Sequence, residues 1–244
     1  DFKFKYACKN ADLVVAISEH TKSEIIRFYG IDPNKIKVNY QACDASFKVI
    51  KTITERAAII RKYKLPEKYF LYVGSIIERK NLLTLVKAIE KLPEPFRFPL
   101  VVVGEGRQYK KAVKRYIEQE GIDHLIIFTE KISFEDLPSI YQASQIFIYP
   151  SFAEGFGIPI IEALSSQVPV ITSNTSCLPE AGGPSSLLVN PHKAEEITQA
   201  IVEICSNDSL RSKMVEDGVE YVKKFDGERV TRELYDAYQE LLNS

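Results

Sequence analysis

Four cysteines, three histidines and one methionine are scattered through 244 residues, with no C-x-x-C pair and no histidine close to a cysteine. This spacing excludes a local zinc motif and the dense framework of a small disulfide-stapled domain, so Cys8, Cys43, Cys177 and Cys205 read as reduced, mostly buried thiols. No apolar run approaches the ~18–20 residues of a membrane-crossing helix, and Asp1-Phe2-Lys3-Phe4-Lys5 alternates instead of building a signal-peptide core. A cytoplasmic location is the resulting expectation. An excess of one charge is missing too: 32 Lys and Arg face 33 Asp and Glu. The near-neutral balance leaves no broad field for DNA, RNA or an anionic membrane, so any polyanion recognition must be local. What is present is a 45% hydrophobic composition, enough for a substantial core and for one large domain, or one domain plus part of another. The chain opens on Asp without an initiator Met and runs directly into patterned sequence, as a part of a longer protein would.

Short β-branched and aromatic runs at 13–17, 36–40, 69–73, 100–103, 125–128, 146–149, 168–172 and 187–189 predict strands. Helical periods lie between them. Ser18 caps a predicted helix that Gly30 ends, and further helices are expected over 54–63, 82–92, 107–119, 134–142, 157–166, 193–205, 208–223 and 228–242. Strands that are apolar throughout and alternate with helices imply an α/β fold, a doubly wound parallel sheet covered on both faces, with ligands at the carboxyl ends of the strands. The rhythm breaks only over 41–65, where a weakly patterned stretch and one polar helix read as a linker. The expected organisation is a tail of a first domain over 1–45, the linker over 46–65, a Rossmann-like domain over 66–225 and a final helix over 226–244.

The most informative segment follows the strand at 146–149. It runs Pro150-Ser-Phe-Ala-Glu154-Gly155-Phe156-Gly157-Ile158-Pro159-Ile-Ile-Glu162-Ala-Leu164. Gly155 and Gly157 allow a sharp turn and close approach to a ligand, and Pro159 suits a first helical turn whose N–H groups point outward at an anion. Glu162 interrupts an apolar run, and a carboxylate there needs a partner, for which a sugar hydroxyl is suitable. Taken singly, either glutamate could merely complement a helix N-terminus, an effect worth ~0.3–1 kcal/mol. Glycines, proline, both carboxylates and the preceding strand together point to a binding site.

Glu-x7-Glu in the form E-G-F-G-I-P-I-I-E-A-L resembles the donor-site motif of retaining GT-B glycosyltransferases of family 4. Tyr72-Val-Gly74-Ser75-Ile-Ile-Glu-Arg79-Lys80-Asn81, Val103-Gly104-Glu-Gly106, the approach from Tyr141 to Ser151, Pro169 to Asn174 and Leu178-Pro179-Glu180 resemble further stretches of it. The likeness covers nearly the whole chain, including Ala11 to Ser18, and implies the C-terminal, Rossmann-like half of a GT-B enzyme with the tail of its acceptor domain. It implies transfer of a hexose, with Glu78-Arg79-Lys80-Asn81 similar to mannosyltransferase-like members, from a UDP- or GDP-sugar to a glycan or lipid-linked acceptor, with retention. By the same resemblance Glu162 holds the ribose and Glu154 lies beside the donor sugar. Lys80 and Arg79 meet the diphosphate, Gly74 and Ser75 form the first loop, and Gly155, Phe156, Gly157 and Ile158 line sugar and phosphate. Lys131 and Ile132 lie near the base. No metal or other cofactor is expected, since there is no D-x-D and fixed cations with helix N–H groups can stabilise a leaving diphosphate.

The chain departs from the family at Ser75, where an arginine is frequent, at Gln167 and Cys43, where glycines are common, and at Phe225-Asp-Gly227, where a tryptophan is usual. A fragment of this span is expected to bind donor without transferring sugar. A noncatalytic nucleotide-binding module for regulation or assembly is the competing reading. Gly104-Glu-Gly106 supplies only two glycines of a dinucleotide fingerprint, which argues against a nicotinamide cofactor. Arg107, Lys110, Lys111, Lys114 and Arg115 share one helical face that could touch acidic lipid as a peripheral membrane contact, although a solvated face is the better reading. His20, His124 and His192 read as structural or surface residues.

Overall fold

The computed structural model describes residues 2–129 and 132–243. All eight expected strands form, as β1 (Val14–Ala16), β2 (Ile36–Val38), β3 (Phe70–Val73), β4 (Leu100–Val103), β5 (Ile126–Thr129), β6 (Ile146–Tyr149), β7 (Val170–Ser173) and β8 (Leu187–Val189). The helices are α1 (Phe2–Asn10), α2 (Glu19–Tyr29), α3 (Ile53–Lys62), α4 (Leu82–Glu90), α5 (Gln108–Glu120), α6 (Leu137–Ala143), α7 (Ile158–Ser165), α8 (Leu178–Gly182), α9 (Ala194–Ser206), α10 (Asp208–Tyr221) and α11 (Gly227–Leu242).

β3 to β8 build a six-stranded, wholly parallel sheet in the order β5-β4-β3-β6-β7-β8, and β1 pairs with β2 in a separate parallel pair. The chain winds outward from β3 to β5 and then returns to β6 on the other side of β3. Connections therefore diverge between β3 and β6, which opens a crevice above their carboxyl ends. Both faces of the sheet are buried. Phe70, Tyr72, Leu100 and Val102 point into one core with α4, α5 and α9, while Tyr69, Leu71, Val101 and Phe147 point into another with α6 and α7. Two-sided burial explains why these strands lack a polar alternation.

Local chemistry sets the helix ends. Ser18 accepts from the Thr21 N–H at the start of α2, and Gly30 closes it in the left-handed conformation. Thr52 and Glu55 form a reciprocal capping box at the start of α3, and Gly121 ends α5. Two elements escaped the sequence pattern. The alternating opening belongs to α1, which buries no residue, and α8 is a five-residue turn too short to display a period. The stretch expected to be featureless is pinned. Asp44 caps the turn Ala45–Lys48, and Phe47 is fully buried in the α6–α7 core. α11 crosses back to the small sheet, where the Asn39 side chain donates to the Val230 carbonyl and Lys37 pairs with Glu240.

Candidate functional site

The crevice is built by three loops. The loop after β3 carries Gly74 to Asn81, the loop after β4 carries Gly104 to Gly106, and the loop after β6 carries Pro150 to Gly157. The first two touch backbone to backbone: Ile76 N–H donates to the Glu105 carbonyl at 2.7 Å. A Cβ on Gly104 would lie 2.0 Å from the Gly74 carbonyl oxygen, and one on Gly106 would lie 2.4 Å from that of Ile76. The two glycines that half-match a dinucleotide fingerprint are thus accounted for by loop packing.

Asn81 fixes the cationic loop to the glutamate loop. It adopts a left-handed backbone at φ 57° and is almost fully buried. Its side-chain amide donates to the carbonyls of Pro150 and Pro191 at 2.9 and 2.6 Å, and its carbonyl accepts from Thr84. Arg79 and Lys80 occupy the turn Glu78–Lys80 immediately before it. The Arg79 carbonyl accepts from Phe152 N–H, closing the gap between β3 and β6.

On this frame Arg79, Lys80 and Glu154 converge. Arg79 Nη1 pairs with Glu154 Oε2 at 2.5 Å and also donates to the Ala153 carbonyl. Lys80 Nζ donates to the Tyr149 hydroxyl at 2.7 Å, and that hydroxyl donates to Glu154 Oε1 at 2.9 Å. Ser151 adds a donor to the same oxygen. Lys80 itself stands 3.9 Å from Glu154 Oε1. Burial pulls the Lys80 ammonium below its ordinary pKa, an effect that the Glu154 charge opposes. Gly74 leaves the room for Lys80: a Cβ there would meet Nζ at 2.8 Å. Ser75 is exposed, and its carbonyl accepts from the Tyr72 hydroxyl.

Gly155 and Gly157 make the turn into α7, Gly157 at φ 120°. Pro159 lies in the first turn of α7 as expected. The Phe156 side chain points away from the crevice, stacked 5.6 Å from Tyr40 and edge-on to Phe225 at 5.2 Å. Phe156 can therefore face a ligand only through its backbone. Ile158 is half-buried at the start of α7, and Ile132 packs against the α6–α7 core. Lys131 lies outside the described residues. Glu162, one turn into α7, accepts the Tyr141 hydroxyl at 2.8 Å on Oε2. Burial raises its pKa above the usual carboxylate range, while Tyr141 and Lys80 pull it back.

Sequence reasoning gave no site role to Tyr149, Tyr141 and Asn81, which it placed only within family-like stretches, and missed Ser176. Ser176, at φ 58°, accepts from the Glu154 N–H and donates to the Glu154 carbonyl, so it fixes the backbone of the turn. The basic face of α5 needs correcting: Lys110 is buried, 3.6 Å from Glu105, and lies over the Phe128 ring. Aromatic packing has withdrawn one of its five cations from solvent. Among the described residues no group of three or more His, Cys, Asp and Glu side chains is placed to hold a metal, and no helix is long and apolar enough to cross a membrane. His192 stacks on Phe152 at 4.6 Å.

The family pattern of the glycosyl transferases group 1 matches residues 55–221. The chain belongs to that family. Its fold is the C-terminal, Rossmann-like half of a GT-B glycosyltransferase. It is 32% identical to the O-antigen chain mannosyltransferase B of Escherichia coli over 233 residues, which are 94% of this chain and 61% of that protein. It is 27% identical to the serotype-specific mannosyltransferase WbdA of E. coli, covering 97% of this chain and 30% of WbdA. The chain thus spans under two thirds of these relatives. A glycosyltransferase from Rickettsia africae superimposes with a TM-score of 0.88 at 26% identity, over 99% of this chain and 68% of that one. Anabaena HepE, solved with UDP and glucose, shares the fold with a TM-score of 0.85 at 17% identity, over 96% and 64% of the two chains.

Proposed function

We propose that this chain is the donor-binding part of a retaining hexosyltransferase that moves mannose from a nucleoside-diphosphate sugar, GDP- or UDP-linked, to a hydroxyl of a glycan or lipid-linked acceptor. One observation carries the reading. Two cations and a carboxylate, 75 and 74 residues apart in sequence, meet above the β3–β6 switch point, beside a helix N-terminus. Resemblance to two E. coli mannosyltransferases supports the sugar, and HepE, a neighbour in fold, is bound to UDP.

In this reading the departing diphosphate, whose negative charge grows as the glycosidic bond breaks, lies against Lys80, Arg79 and the positive N-terminal end of α7. Preorganised donors and cations of this kind stabilise developing charge without a metal. Glu162 holds the ribose and Glu154 orients the sugar. The departing phosphate accepts the proton of the acceptor hydroxyl on the face where the new bond forms, which yields retention. The residues before the linker belong to the acceptor-binding part, and α11 returns to them.

Calorimetric titration of this chain with UDP, GDP, ADP and NAD tests the reading. One nucleoside diphosphate is expected to bind, more weakly after Lys80→Ala and after Glu162→Ala, with no binding of NAD. Nucleotide binding untouched by both substitutions would overturn the site. Donor binding in a full-length chain that transfers no sugar would favour a regulatory nucleotide-binding module instead.

A further inference from the structure

Glu162 offers two carboxylate oxygens, and the described residues engage one. Tyr141, on α6, donates to Oε2 at 2.8 Å. No other side chain among the described residues hydrogen-bonds this carboxylate. Tyr141 has no freedom to leave. It is fully buried, with Phe47 edge-on at 5.5 Å and 82° and Phe147 tilted against it at 5.2 Å. A phenol in such a box has two stiff torsions and one proton, and a buried hydroxyl that loses its acceptor is penalised. Phe47 reaches the box from the segment between β2 and α3, so that the stretch read as a linker closes over the pair.

We propose that Tyr141 is a positioning residue for nucleotide recognition: by holding Oε2 it fixes the Glu162 carboxylate so that Oε1 meets the ribose hydroxyls, and it sets how strongly the chain prefers a ribonucleotide to a deoxyribonucleotide. The proposal rests on the donor-site reading above. A carboxylate without this anchor would have several rotamers to lose on binding, and would be charged less of the time. The groups that face it are Lys80, which favours the charged form, Asp44, which opposes it, the Cys43 thiol, which hydrogen-bonds Ser165, and Tyr141 itself. Removing the phenol leaves burial, the largest influence, opposed by Lys80 alone.

The test is calorimetric, on the whole chain, with UDP and GDP and the 2′,3′-dideoxy form of whichever binds. Wild type is expected to favour the ribonucleotide by about tenfold or more, the range of one hydrogen bond to a charged group. Glu162→Gln should erase most of that preference, and Tyr141→Phe should cut it at least about threefold while dideoxynucleotide affinity stays within about twofold. The acid limb of ribonucleotide affinity should also move to higher pH in Tyr141→Phe. If wild type shows no ribose preference, or Glu162→Gln keeps it, the donor-site reading fails and this proposal with it. If Glu162→Gln erases the preference and Tyr141→Phe preserves it, only the positioning role is overturned. Equal weakening of both nucleotides in Tyr141→Phe, with a lowered melting temperature, assigns Tyr141 to packing and likewise overturns the proposal.

Discussion

Glu154 and Glu162 are eight residues apart in the same loop and helix, yet their surroundings separate them. Glu154 meets Arg79, Tyr149 and Ser151, whereas Glu162 lies in an apolar helix and, among the described residues, is hydrogen-bonded by the side chain of Tyr141 alone. A diphosphate competing for Arg79 and Lys80 must displace the negative charge that Glu154 already offers them. Glu154→Gln should therefore tighten binding of the free nucleoside diphosphate by about fivefold, equivalent to about 1 kcal/mol for a part-exposed ion pair. The gain should be smaller for the nucleotide sugar, since Glu154 also orients the hexose; calorimetry with both ligands checks the split, and weaker diphosphate binding would contradict it. Glu162 gives a stability test. Its folded-state pKa is raised, chiefly by burial, so the folded chain holds that proton more tightly than the unfolded chain and loses stability as pH rises through the carboxylate range and above it. Glu162→Gln should accordingly melt about 2–4 °C higher than wild type at pH 8, about 1 kcal/mol for a chain of this size, and the advantage should vanish toward pH 4. Thermal scans across that range measure it.

At the scale of elements, the site depends on three loops that touch through backbone. Gly104 has φ 152° and no space for a side chain, because the Gly74 carbonyl occupies it. Gly121 also has a positive φ, 65°, but nothing lies within 4 Å of its would-be Cβ. Gly121→Ala should cost only left-handed strain, about 1 kcal/mol, while Gly104→Ala should cost about 3 kcal/mol or more because a backbone oxygen must move. Urea unfolding distinguishes them, and equal losses would show that the two loops are free to separate. The same contrast explains what the sequence made legible. Period and capping residues are local, so the strands, the long helices, Ser18, Gly30 and Pro159 could be read directly, and the E-G-F-G-I-P motif marked the crevice. The roles of Tyr149, Tyr141 and Asn81 come from partners that only the fold supplies. Asn81 reads as an ordinary polar residue until Pro150 and Pro191, 69 and 110 positions away, come within hydrogen-bond reach. Phe47 escaped for the same reason, since one aromatic in an unpatterned stretch carries no period.

Across the whole molecule, the six-stranded sheet and the small β1–β2 unit meet at the turn that bears Glu154. Ser18 and Thr21, opening α2, both donate to the Gly155 carbonyl, at 3.1 and 3.3 Å. In the opposite direction Glu180, on α8, accepts the backbone N–H groups of Glu19 at 2.8 Å and His20 at 3.4 Å. Its charge therefore lies at the positive end of α2 and satisfies donors that the helix leaves unpaired. The same carboxylate acts on Tyr40, whose pKa is raised by burial first and by Glu180 second. The Tyr221 hydroxyl donates to the Glu180 carbonyl, so α10 holds the clasp from behind. Movement of α2 relative to the large sheet must then pull on Gly155, one residue from Glu154. Glu180→Ala should free the start of α2 without disturbing the sheet that carries the crevice. A lost cap is worth about 1 kcal/mol, so the amides of Glu19 and His20 should exchange with solvent about fivefold faster, while those of β3 and β6 keep their rates. Hydrogen exchange resolved by residue reads both at once; uniform acceleration would mean that the clasp stabilises the entire chain, and no acceleration would mean that Ser18 caps α2 unaided.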